Sequence, residues 1–141
     1  MIAVAIIAVL AAIAYPSYLE HVRHTKRVEM QTTLQQIAMQ IQRYKIANFK
    51  VVGATSSDFN IAASYPVQGT PLYIVNLTPV TSGFLTAETW ILTATPIANT
   101  PQSGDGHIVL NYRGERCWKK GTDINSGRAC VPSVTSNWDG K

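Results

Sequence analysis

The sequence predicts an α+β fold: one long N-terminal helix, apolar in front and amphipathic behind, packed on a C-terminal antiparallel sheet of about four strands. Three observations predict it. Residues 1–14, MIAVAIIAVLAAIA, are uniformly apolar, and no charge appears before Glu20. From Ser17 to Asn48 there is neither glycine nor proline. Beyond residue 71, short runs rich in Ile, Val, Leu, Thr, Tyr and Trp alternate with turn-forming clusters.

The front run fits no ordinary category. A secretory signal peptide would begin with basic residues and end at a small-x-small cleavage site, and this run has neither. A simple membrane span needs roughly 20 apolar residues, more than are present here. A core helix apolar on every side is unusual in a domain of this size. After it, Met30, Leu34, Ile37, Ala38, Ile41 and Tyr44 recur at helical spacing, with Gln31, Gln35, Gln42 and Arg43 between them. Pro16 joins the halves and is expected to break, kink or loosen the helix there. At 1.5 Å per residue the whole element reaches about 70 Å, so its front must meet a membrane or other copies of itself. The division expected is a protruding helix over residues 1–28 and a globular part over 29–141.

Composition is that of a folded domain: 46% hydrophobic and 14% charged residues across 141 positions, enough for one core. Net charge is +4, unevenly spread: Arg113, Arg116, Lys119, Lys120 and Arg128 face only Glu115 and Asp123 between residues 113 and 128. Two cysteines, Cys117 and Cys130, with no C-x-x-C pair, argue against a four-thiolate zinc site. They are either a disulfide closing a short loop, which implies an oxidising compartment, or two separate reduced thiols.

The segment MIAVAIIAVLAAIAYPSY resembles the N-terminal helix of type IV pilins, whose mature chains open with a short Phe-Thr-Leu-Ile-Glu-Leu-like stretch. On that likeness about six residues stand ahead of Met1, and adding them brings the apolar segment to spanning length. The family's acidic residue belongs to that stretch, so its docking role has no counterpart among these positions. Pro16 matches the family's helix-breaking proline, whereas Ala8 stands where many pilins carry glycine.

After the helix, residues 51–71 read as a connecting region. Strands are expected at Leu72–Thr78, Glu88–Thr95, Gly106–Arg113 and Glu115–Lys119, a sheet over 72–119. Trp90, Leu92 and Ala94 alternate with Ile91, Thr93 and Thr95; Ile108, Leu110 and Tyr112 alternate with Val109 and Asn111. One face of the sheet would then cover the helix. GERCWKKG and GRACVPSVTSNWDGK resemble the C-terminal region of PilE-type minor pilins. That resemblance implies a Cys117–Cys130 closing disulfide.

Chemistry is sparse. Glu20-His21-x-x-His24 places two histidines one turn apart, but His107 is the remaining histidine, and a solvated or headgroup-facing band is the simpler reading. No nucleophile elbow, phosphate loop or dinucleotide fingerprint occurs, so neither enzymatic activity nor a cofactor is expected. Asp105-Gly106 reads as a turn, and the Asn76-Leu77-Thr78 sequon as ordinary strand sequence. The cluster of Arg113, Arg116, Lys119, Lys120 and Arg128 could bind DNA, with Arg116, Lys119, Lys120 and Arg128 as the candidate contacts, Trp118 among them and Trp138 to stack on bases; the alternative is that Trp118 packs under the disulfide loop and the charges are simply solvated. His21, Arg23, His24, Lys26 and Arg27 form a basic band that the positive-inside rule would place in the cytoplasm, against the disulfide.

The resemblance implies a structural pilus subunit, a minor pilin ahead of a major one, with a secretion pseudopilin or a DNA-binding uptake pilin as alternatives. Met1, Ile2, Val4, Ile6, Ile7, Val9, Leu10 and Ile13 would anchor it in the bacterial inner membrane. The same residues would afterwards pack against other pilins in an extracellular filament. Further partners so implied are the prepilin peptidase and the inner-membrane assembly platform.

Overall fold

Helix α1, Ile2–Asn48, runs without interruption for 47 residues, about 70 Å, in this computed structural model, which describes residues 1–140. Pro16 sits inside it and does not break it, correcting the expected break. The lost rung is local: proline has no N–H for the Ala12 carbonyl, and the glycine-free sequence on either side carries the helix onward. Its buried residues are Arg27, Met30, Leu34, Ile37 and Ile41, steps of three and four that draw one stripe along the helix. The helix ends at Phe49 in the left-handed conformation (φ 61°), with Lys45 in the last turn and the Asn48 amide donating to the Tyr44 carbonyl at 3.0 Å.

The connecting region has more structure than its turn-rich sequence suggests. Asp58 accepts from both the backbone N–H (2.7 Å) and the hydroxyl (2.8 Å) of Thr55, capping a 3-10 turn at Ser56–Phe59. This drives Phe59 into the core, where it meets Tyr44 edge-to-face at 5.3 Å.

The main sheet is antiparallel throughout, in the order β1 (Tyr73–Thr78), β4 (Ile91–Pro96), β5 (Ile108–Asn111), β6 (Arg116–Trp118). Between β1 and β4 lies a small hairpin, β2 (Val80–Thr81) and β3 (Phe84–Leu85), across the Ser82-Gly83 turn. The sequence marks that turn, but two-residue strands are too short to show a period. The remaining strands are shorter than expected, for identifiable reasons. Glu88 leaves β4 to accept the Val51 N–H at 3.0 Å and to pair with Lys45 at 3.1 Å. Gly106 leaves β5 because its N–H goes to Asp123 (2.8 Å) at φ 99°, and a Cβ there would lie 2.0 Å from the Lys119 carbonyl oxygen.

Trp90, Leu92 and Ala94 point into the core with Val75, Leu77, Ile108 and Leu110, against the stripe of α1. Strand β5 departs from the expected alternation: Val109 and Asn111 are buried too. The C-terminal segment meets Val109, where Trp138 donates its indole N–H to the Val109 carbonyl at 3.1 Å, while the Asn111 side chain is bonded by Arg113 and Glu115 of the following turn. Residues 136–137 also shield the edge of β6, through Ser136 Oγ to the Arg116 carbonyl (2.8 Å) and the Trp118 N–H to the Asn137 carbonyl (3.3 Å). Cys117 and Cys130 are joined, with Cα atoms 6.2 Å apart.

Two stability predictions follow from this packing. Leu92→Ala, at a fully buried position, is expected to cost about 2–5 kcal/mol in denaturant unfolding. Cys117→Ser with Cys130→Ser is expected to cost about 2–5 kcal/mol, since the bridge restrains the unfolded chain and holds the tail over β5.

Candidate functional site

Two surfaces matter here: the front of α1 and the C-terminal basic region. A polar clasp lies between them.

On the front, every residue from Met1 to Glu20 is exposed, and none of the apolar window with mean hydropathy 2.2 is covered. Met1, Ile2, Val4, Ile6, Ile7, Val9, Leu10 and Ile13 therefore all project into open space. By length and composition this helix is able to cross a membrane.

Contact with the rest of the chain begins before residue 29. Arg23 Nε donates to the Pro101 carbonyl at 2.7 Å, and Lys120 pairs with Glu20 at 3.0 Å. Arg27 is only 6% exposed and Asp105 0%. Arg27 Nε donates to Asp105 Oδ2 at 2.9 Å while Nη2 donates to Oδ1, a two-pronged pair. Tyr73 O–H adds a bond to Asp105 Oδ2 at 3.2 Å, and Gln102 Nε2 bonds the Arg23 carbonyl (2.9 Å) and Tyr73 Oη (2.8 Å). The indole of Trp118 lies 3.8 Å under the Arg27 guanidinium and donates Nε1–H to the Asp105 carbonyl at 2.9 Å. Burial opposes the charge of Arg27, but hydrogen bonds and attraction from Asp105 outweigh it and raise its pKa. Burial, then the Asp105 charge, keeps the Tyr73 phenol protonated far above its usual range.

Two expectations are corrected by this clasp: Arg27 is not part of an open basic band, and Asp105 is not merely a turn residue. Trp118 is packed, under Arg27 and bonded to the Asp105 carbonyl. The sequence held one clue: Arg27 stands on the same three-and-four stripe as Met30 and Leu34. A guanidinium on a buried stripe requires a buried acid.

The candidate DNA contacts have different surroundings. Lys120 is engaged by Glu20. Arg116 lies 5.1 Å over the Trp138 ring at the opposite end of β6. Lys119 and Arg128 are exposed. Trp138 is half-buried and hydrogen-bonded, so it braces rather than projects. His21 and His24 stand exposed on α1.

A long helix with a bare apolar front, a docked back half and a disulfide-closed four-stranded sheet is the architecture of a type IV pilin. The profile of the family described as "Type IV minor pilin ComP, DNA uptake sequence receptor" matches residues 16–107, well over half the chain. The chain belongs to that family, and is a minor pilin subunit of a type IV pilus that associates with other pilins. Its fold is also that of the Neisseria meningitidis non-core minor pilin PilV, at 19% identity and a TM-score of 0.50, over 78% of this chain and 98% of that one. A search of curated proteins gave no match. The matched family segment ends before Cys117 and before every candidate DNA contact.

Three predictions test the clasp and its surroundings. Asp105→Ala strands a buried guanidinium and is expected to destabilise by about 3–5 kcal/mol. Arg27→Met with Asp105→Leu is expected to cost less than the two single changes added, as read in a double-mutant unfolding cycle. His107, half-buried beside Thr122, has its pKa lowered by burial, with Asp123 partly opposing. A base whose folded pKa is depressed binds its proton more weakly when folded. Stability should therefore be unaffected by this group above about pH 6.5 and fall as pH drops below it. His107→Gln is expected to flatten that decline in a pH series of thermal midpoints.

Proposed function

We propose that this minor pilin is a DNA-capturing subunit, held in the bacterial inner membrane by the front of α1 and later displayed on an extracellular pilus. The observation that carries the reading is the family match, whose description names a DNA uptake receptor and whose span runs from Pro16 into the loop before β5. A net charge of +4 and the exposed cations Lys119 and Arg128 agree with it.

Before assembly, the uncharged front of α1, residues 1–19, lies in the bilayer and the globular part faces the periplasm, where a disulfide persists. The basic band no longer argues for the reverse orientation, because Arg23 and Arg27 are spent on docking the chain's own domain. Leaving lipid, the apolar front needs an equally apolar neighbour, and the front helices of other pilins supply it. Prepilin peptidase and the inner-membrane platform act at those steps.

In the cell, deleting the chain is expected to leave pili present while uptake of labelled duplex DNA is lost; unchanged uptake would refute the proposal. Quantitative mass spectrometry of sheared pili should find the chain as a small fraction beside a dominant pilin. Its absence from them would move it to a secretion pseudopilin. Ile6→Asp, which puts a carboxylate in the apolar front at about 2.5–3.5 kcal/mol in a membrane centre, is expected to remove it from sheared pili altogether.

A further inference from the structure

From the geometry we infer that the DNA phosphodiester backbone is gripped by Arg113 and Arg116, in a cleft between the β5–β6 turn and the tail segment Ser133–Asn137, rather than by the lysine pair. This rests on the DNA reading above and names its contact.

The cleft has a volume of about 460 Å³, and Arg113, Glu115, Arg116, Ser133, Ser136 and Asn137 line it. Both arginines therefore border one polar space. Each is carried by an aromatic ring: Arg113 lies 5.4 Å over Tyr112, and Arg116 lies 5.1 Å over Trp138. A guanidinium resting on a ring keeps its N–H edge free and loses little freedom when a phosphate arrives, which suits it to two-pronged contact with phosphate oxygens. The rings are held in turn, Trp138 by its bond to the Val109 carbonyl and Tyr112 by packing half-buried against the core.

Among the described residues, neither arginine takes part in an ion pair. Glu115, the acid on the wall, has Oε2 drawn to the Asn111 amide at 2.6 Å. The other cations differ. Arg27 is buried on Asp105, and Lys120 is held by Glu20 beside the bare front of α1. Arg116 opens β6, and Lys120 follows its far end by two residues, so the cleft lies at the end of the strand opposite the Lys120–Glu20 pair.

The test is fluorescence anisotropy of a labelled duplex with the full chain in detergent, repeated over a salt series. Arg113→Gln with Arg116→Gln is expected to lower the slope of log affinity against log salt by roughly 1.8, about 0.9 per lost phosphate contact. Lys119→Gln with Arg128→Gln removes the same charge and is expected to lower it by less than about 0.9. Trp fluorescence and the thermal midpoint report folding. Should the double variant misfold, Arg113→Gln alone, at an exposed turn, is expected to lower the slope by about 0.9. A wild-type chain that fails to bind duplex at low salt would sink the DNA reading itself. Binding that is salt-sensitive yet unaffected by the arginine changes, or equally weakened by both pairs, would overturn the cleft and leave the DNA reading standing.

Discussion

Asp105 is the residue on which the arrangement of the molecule turns. Its carboxylate receives Arg27 from the helix and Tyr73 from β1, while its carbonyl receives the Trp118 indole from β6. The loop that carries it is itself held, because Gly104 and Gly106 both donate backbone N–H groups to Asp123 at 2.8 Å. Asp123 lies inside the loop closed by Cys117–Cys130. Since Trp118 also lies beneath Arg27, the contacts form a closed circuit: helix, carboxylate loop, disulfide loop, edge strand, helix. A circuit of this kind fixes orientation, because each member is held from two sides.

A polar clasp suits this place better than an apolar one. Apolar contact along Met30, Leu34, Ile37 and Ile41 would tolerate a small slide of the sheet along the helix, since neighbouring turns present similar surfaces. The Arg27–Asp105 pair accepts one register. A buried pair contributes little net stability over well-packed apolar residues, so its value here lies in specifying position. That position also determines how far the bare front projects, the length by which the subunit enters its surroundings.

The parts legible in the sequence were those governed by short-range periodicity. The apolar front, the stripe on the back of α1 and the inward face of β4 each announce themselves within a dozen residues. Arg27 and Asp105 are 78 positions apart, and nothing local to Asp105-Gly106 distinguishes a buried acid from a turn. The same limit explains β5. Alternation marks Ile108 and Leu110 as inward, but Val109 is met by a tail that follows much later, and Asn111 is held in the β5–β6 turn by Arg113 and Glu115. Pro16 shows the reverse failure, a strong local breaker overridden by good helical sequence on both sides.

The basic residues teach a related lesson about charge. Five cations within residues 113–128 read as one patch in sequence, yet an extended strand carries its ends apart by about 3.3 Å per residue. Strand β6 therefore splits the run, leaving Arg116 at one end and Lys119 and Lys120 past the other. The two ends meet different neighbours. Lys120 joins Glu20, the first charged residue of the chain, and so ties the disulfide loop to the helix where its apolar front stops. Arg113 and Arg116 meet aromatic rings and solvent at the opposite end. One stretch of sequence thus serves the helix-facing side at its C-terminal end and an open surface at its N-terminal end, with the strand between them keeping the two tasks apart.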